Sequence, residues 1–151
     1  MRRFILLLAL AVLPLAITGC RRGENGPINT GPEISRAEIL FEHNRERAIN
    51  GNLPPLQHDP ELEQRSQKWA ENMAQRGSLY HSRLNMDGTD FRTMGENIAM
   101  GYPTISEVVH GWMTSPGHRR NILNKNYTHA GFGYARKGDG SAYWCAMFGG
   151  R

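Results

Sequence analysis

The sequence predicts an α+β domain in which helices cover both faces of a sheet. Three observations carry that class. Helix-opening patterns stand at Ser35-Arg36-Ala37-Glu38, at Asp59-Pro60 and at Thr104-Ile105-Ser106-Glu107. Apolar residues follow each of them at helical spacing. The chain then closes on two β-type runs joined by a glycine-rich turn.

The elements follow in order. Met1-Arg2-Arg3 is a short cationic start, and Phe4 to Ile17 is an apolar run broken only by Pro14. A comfortable membrane span needs about 20 residues, so residues 1–19 are read as a secretory signal peptide. The Ile17-Thr18-Gly19-Cys20 ending resembles the bacterial lipobox, which implies cleavage before Cys20 and acylation of its thiol and new amino group. The alternative is a plain signal peptide with a free Cys20 thiol. Two or more acyl chains anchor a protein stably where one gives marginal binding. Residues 20–33 carry Gly, Pro and Asn and little to bury, the composition of a flexible tether.

Residues 34–151 form the predicted domain. Ser35 opens its first helix as a capping box, with Ile34 stapled onto Ile39. Ala37, Leu40, Asn44, Arg47 and Ala48 share one side, and Asn50-Gly51 ends the helix. After an extended Pro54-Pro55 stretch, Asp59 caps a second helix whose inner side is Leu62, Ser66, Trp69, Ala70, Met73 and Ala74, up to Gly77. Asn85 to Thr93 reads as a polar loop and Glu96 to Met100 as a short extended piece. Thr104 and Glu107 open a third helix with Ile105, Val108, Val109 and Trp112 inward. Ser115-Pro116 ends that helix and caps a short fourth one, which sets His118 and Asn121 one turn apart. Ala130 to Ala135 and Ala142 to Phe148 form a hairpin across Arg136 to Ser141, where Gly-Asp-Gly tolerates positive φ.

Charge excludes one class of function. Removing residues 1–19 leaves 132 of 151 residues, one domain's worth, and takes Arg2 and Arg3 from the 18 basic side chains. The remaining 16 nearly cancel 14 acidic ones, and Arg119-Arg120 is too little for a phosphate-tracking surface. No nucleic-acid partner is expected. A lipid-bearing Cys20 leaves Cys145 alone, so no internal disulfide forms; within its apolar run Cys145 reads as a small buried hydrophobe. A monomer is expected.

Four residues carry candidate chemistry: His81, Glu96, Glu107 and His118. Each has a bland reading. His81, on the turn out of the second helix, reads as a surface or hydrogen-bonding residue, Glu96 as a strand-edge carboxylate, and Glu107 as the capping-box partner of Thr104. His118 sits in the first turn of its helix, where the dipole disfavours the imidazolium and leaves a neutral ring. Together, two neutral imidazoles and two carboxylates are what divalent-metal or acid/base chemistry asks for. No compact zinc signature such as H-E-x-x-H is present, so convergence of the four does not follow from spacing.

Several further pieces complete a recognisable set: His43-Asn44-Arg45-Glu46-Arg47, Leu56 with Trp69-Ala70, Tyr80-His81-Ser82, Gly95-Glu96-Asn97-Ile98, the run from Trp112 to Leu123 (W-M-T-S-P-G-H-R-R-N-I-L) and Tyr127 to Gly133. From about Ile34 to Gly149 the chain resembles the CAP superfamily (SCP/TAPS: cysteine-rich secretory, antigen 5 and pathogenesis-related-1 proteins) in its bacterial secreted branch. The resemblance implies a three-layer α-β-α sandwich with a central, mostly antiparallel sheet and a central cleft. It places the family's His–Glu–Glu–His tetrad on His81, Glu96, Glu107 and His118. His81 and His118 then hold a divalent metal, commonly zinc, and the Glu pair lines the cleft floor. Asn44 and Arg47 become buried polar residues that bond the sandwich together. The eukaryotic G-H-Y/F-T-Q segment is here Gly117-His118-Arg119-Arg120-Asn121. The eukaryotic disulfides and C-terminal cysteine-rich extension are missing, so channel-regulating and venom-type activities do not transfer.

Two functions follow as expectations. The favoured one is an envelope-anchored binding module, held on a membrane through Cys20, whose cleft takes zinc or a small lipid, sterol or cell-wall-derived ligand. The other is a hydrolase of peptide or peptidoglycan, with His81 and His118 on Zn²⁺ and Glu96 or Glu107 activating its water. A serine mechanism through Ser82 or Ser115 is weaker, because no G-x-S-x-G elbow is present. Arg21 after the acylated Cys is not the Asp that retains lipoproteins at an inner membrane. The expected location is therefore the outer membrane and periplasm, or the outer face of a plasma membrane.

Overall fold

A computed structural model of the chain describes residues 35–151. The expected signal peptide, the acylated Cys20, the tether and the Ile34 staple lie outside the described residues. The element order is α1 (Arg36–Gly51), β1 (Gln57–His58), α2 (Pro60–Arg76), β2 (Thr93–Met100), α3 (Ile105–Thr114), α4 (Pro116–Ile122), β3 (His129–Arg136) and β4 (Ala142–Gly150). The strands lie in the order β1-β3-β4-β2, antiparallel except for the short parallel pairing of β1 with β3.

The three-layer arrangement is visible in the side-chain alternation of β4. Trp144, Ala146 and Phe148 enter one apolar cluster with Ile39, Val108, Trp112 and Ile122 of α1, α3 and α4. Tyr143, Cys145 and Met147 enter the other with Leu62, Ala70 and Met73 of α2. A strand buried on both faces reads as a continuous apolar run, as Ala142 to Phe148 does. Gly131 and Gly133 of β3 let α2 settle directly on the sheet. A Cβ on Gly131 would lie 2.0 Å from Glu63 N, and one on Gly133 would lie 2.2 Å from the Ser66 carbonyl carbon. Ser66 Oγ uses that proximity and donates to Gly131 O at 2.9 Å.

In α1 the buried row is Ile39, His43 and Arg47, successive one-turn steps, while Ala37 and Ala48 are exposed. This rotates the expected inner face: Leu40 and Asn44 flank it. Arg47 has 1% of its surface exposed, and its guanidinium donates to the carbonyls of Pro54, Ile122, Asn124 and Tyr127 at 2.8–3.2 Å. Asn44 donates to Leu56 O and accepts from Leu56 N. The two polar residues thus tie the entry to β1, the end of α4 and the entry to β3 to one helix. The left-handed cap is Asn52 at φ 47°, one residue beyond the expected stop. Gly51 stays helical, and a Cβ there would crowd Leu53 at 2.8 Å.

Three further details differ from the expectation. Strand β2 begins at Thr93, because its residues pair with β4 from Gly150 onward whatever their polarity. Strand β1 is two residues long, too short to leave a pattern. Ser115 occupies the cap position of α4 without making a side-chain cap bond.

Candidate functional site

Strand β2 is an edge strand, and successive residues on it face opposite layers. Glu96 points towards α2 with Met94 and Ile98, and Asn97 towards the other layer. Loop and helix then wrap around this edge from both sides.

From the α2 side comes His81. Gly77 ends α2 in the left-handed region (φ 66°), with its own N–H and that of Ser78 returning to Ala74 and Met73 carbonyls. Trp69 Nε1 donates to Tyr80 O at 2.9 Å, and the two rings meet edge-on at 5.0 Å. The chain is thereby pinned one residue before His81. His81 Nδ1 lies 2.7 Å from Glu96 Oε1, and Ser82 N donates to the same oxygen at 3.0 Å. The Cys145 thiol approaches Glu96 Oε2 at 3.9 Å. The Glu96 side chain is 2% exposed and that of His81 is 62% exposed, so a buried carboxylate orients a solvent-facing imidazole. A carboxylate can only accept, which places a proton on Nδ1, so that in the neutral tautomer the lone pair lies on Nε2. Burial and then the charge of Glu96 push the Cys145 thiol well above its ordinary pKa, so it is no nucleophile.

From the other side comes His118, on α4. Asn97 Nδ2 donates to His118 O at 3.0 Å. Asn121 Nδ2 donates to Glu96 O at 3.1 Å and to Asn97 Oδ1 at 2.8 Å. These bonds lock α4 to the edge strand. The His118 pKa is lowered, first by burial and then by the charge of nearby His81. The first-turn dipole is therefore not needed to keep the ring neutral. His81 thus contacts Glu96 directly, and His118 lies close enough to His81 for the charge of one to act on the other.

Glu107 makes its hydrogen bonds elsewhere. It is exposed at the start of α3, where its Oε2 accepts from Thr104 N and Thr104 Oγ1 while Glu107 N donates to Thr104 Oγ1. The capping role accounts for the hydrogen bonds of this carboxylate, and among the described residues no hydrogen bond or ion pair ties it to His81, Glu96 or His118. Among the described residues, no three His, Cys, Asp or Glu side chains converge as a metal-holding group. The donor set is therefore the two imidazoles, with Glu96 behind one of them.

Asn97, Asn121 and the Ser82 amide were not singled out as site residues from sequence. Asn97 was recoverable, because it follows Glu96 on a strand and must face the opposite layer. A groove of about 850 Å³ opens beside His81, between α2 and the 80–85 segment.

The family model of the cysteine-rich secretory proteins (CAP) matches residues 40–148. The uncharacterized protein YkwD of Bacillus subtilis is 38% identical over 114 residues, 70% of this chain but 43% of YkwD. The chain therefore spans less than half of that relative. The fold is shared with an outer surface protein of Borrelia burgdorferi, at TM-score 0.68 and 21% identity over 76% of this chain and 91% of that one. It is shared too with an extracellular SCP-domain protein of Bacillus anthracis, at TM-score 0.65 and 24% identity over 77% and 40%. With its α-β-α sandwich and its match over residues 40–148, the chain belongs to the CAP family.

Proposed function

We propose that this protein is an extracytoplasmic binding module whose edge-strand site holds a divalent cation between His81 and His118. The observation that carries the reading is the buried Glu96 carboxylate hydrogen-bonded to His81 Nδ1. Metal-ligating imidazoles typically give their second N–H to such a partner. The lowered pKa of His118 supplies a second neutral nitrogen at ordinary pH. Two nitrogens suit zinc and leave further positions for water or groups of a small ligand. A bound ion would act there as a Lewis acid towards an incoming oxygen or nitrogen donor. Location outside the cytoplasm is supported by the relatives described as outer-surface and extracellular. It is supported also by the signal-peptide pattern of residues 1–19 and Cys20.

The hydrolytic alternative asks for a carboxylate free to take a proton. Glu96 already faces three donors and Glu107 caps its helix, so binding is the better-supported reading.

Zinc titration against a chromogenic chelator tests it. His81→Ala and His118→Ala are each expected to weaken zinc, and Glu96→Gln to weaken it by about 10- to 100-fold. Glu107→Gln should leave affinity unchanged. Unaltered affinity in both His variants refutes the site.

A further inference from the structure

Arg151 closes a polar cluster that the edge-strand site does not use. Its guanidinium donates from Nη1 to His129 Nε2 at 2.6 Å, from Nη2 to Asp59 Oδ2 at 2.9 Å and from Nε to Asp90 Oδ2 at 2.6 Å. The same group lies over the Phe91 ring, 4.8 Å from its centre. Side chains from three separate stretches of the chain therefore meet on one cation.

Two of the partners belong to a rigid frame. Asp59 caps α2, its Oδ1 accepting from Leu62 N at 2.9 Å and its own N–H bonded to Ala130 O at 3.0 Å. His129 opens β3 opposite Gly149 of β4. Asp90 instead ends the turn 85–90, whose other bonds are local: Asp87 N to Asn85 Oδ1, and Thr89 N to Met86 O. Through Arg151, Asp90 joins that turn to the frame.

This grip depends on one proton. An arginine only donates, so His129 Nε2 must accept, and the proton of the neutral ring sits on Nδ1. Nδ1–H then donates to Thr128 Oγ1, 2.8 Å away, and that hydroxyl is turned to Gly149 O. A second proton would put an N–H on Nε2, donor against donor, and a like charge beside Arg151. The ion pair with Asp90 cannot compensate, because the Asp90 side chain is 68% exposed and such pairs are worth little. Burial and then the charge of Arg151 lower the His129 pKa from its usual 6.5, against the opposing pull of Asp59 and Asp90. The closed cluster thus refuses a proton that the open one takes. Closure is fullest above pH 6.5 and weakens as the pH falls below it.

We propose that Arg151 is a proton-released clasp, fastening the 85–90 turn to α2 and β3 while His129 is neutral and freeing it when His129 is protonated. Release loosens one side of the groove beside His81, which Leu84 and Asn85 line. The clasp itself needs neither metal nor ligand.

NMR on the chain begun at residue 20 with Cys20→Ser, titrated between about pH 7.5 and pH 4.5 in the presence of a chelator, tests this. Both core clusters lie within residues 39–148, so this segment carries its own core. The His129 ring is expected as the Nδ1–H tautomer at the upper end, with a titration midpoint below 6.5. Amides 86–90 should lose order across the same titration relative to those of β4, from order parameters of about 0.85 to below about 0.6. His129→Gln keeps an acceptor for Arg151 but has nothing to titrate, so its turn should stay ordered throughout. Arg151→Gln should leave the turn mobile at both ends and raise the His129 midpoint. Neither residue is buried, so the fold survives both changes. An ordered turn in Arg151→Gln, an unmoved His129 midpoint, or equal loss of order in His129→Gln and the natural chain overturns the clasp. Zinc at His81 and His118 is read separately, by the chelator titration.

Discussion

His43 shows how one imidazole inside an apolar core sets a limit on pH. Its ring lies 4.6 Å from that of Phe132, 5.6 Å from Trp112 and 5.9 Å from Phe148, with Nδ1 donating to Ile39 O. Nε2 has no partner. Burial, aided by the charge of Arg47, lowers the pKa from 6.5 to about 4. The unfolded chain takes a proton as the pH drops through 6.5, whereas the native ring refuses it until about pH 4. Above pH 6.5 this group leaves stability untouched; below it stability falls, and the loss levels off under pH 4 at about 3 kcal/mol. Urea midpoints between pH 7 and pH 4 should fall less steeply in His43→Leu than in the natural chain. Equal slopes would assign the acid sensitivity to other groups. Arg47 was legible as an inner polar residue from its helical spacing. His43 was not, because a histidine beside polar neighbours says nothing about what it will meet.

At the scale of elements, close contact between α2 and β3 is the feature most open to test. Gly131→Ala must push α2 off the sheet, since the new Cβ meets Glu63 backbone at 2.0 Å and backbone cannot rotate away. A loss at or above the upper end of the usual 1–3 kcal/mol for overpacking is expected, read as a lowered denaturant midpoint. Gly88→Ala meets nothing within 4 Å, although its φ of 76° belongs to the left-handed region. It should cost only about 1–2 kcal/mol of backbone strain. A Gly131→Ala variant no worse than Gly88→Ala would show that α2 can slide. The capping signatures of α1, α2 and α3 were readable because they rest on contacts within one turn. Glu107 is ambiguous for the same reason: a carboxylate that caps and one that lines a cleft have identical sequence neighbours. Its hydrogen bonds to Thr104 establish the first of these roles.

Across the whole molecule, the edge-strand site joins the two layers. His81 arrives on the loop leaving α2 and His118 on α4 in the opposite layer, with β2 between them. A cation shared by both imidazoles would tie those layers together and bind the native state alone. At zinc one hundred times the dissociation constant, stabilisation should be about 2.7 kcal/mol, a rise in Tm of roughly 10 °C. His81→Ala/His118→Ala should abolish that rise. A zinc-induced shift surviving in the double variant would place the ion elsewhere.

Sequence alone determined what depends on near neighbours: helix starts and stops, the C-terminal hairpin, the two-sided burial of β4, and a motif set specific enough to name the family. It could not decide which distant side chains share a pocket. Strand order, the rotation of α1 onto Ile39, His43 and Arg47, the bond between His81 and Glu96 and the groove beside α2 all arise from contacts between residues far apart in the chain. Such contacts form only when the two apolar faces of the sheet are covered. Local patterns encode that covering, but not the meeting points it creates.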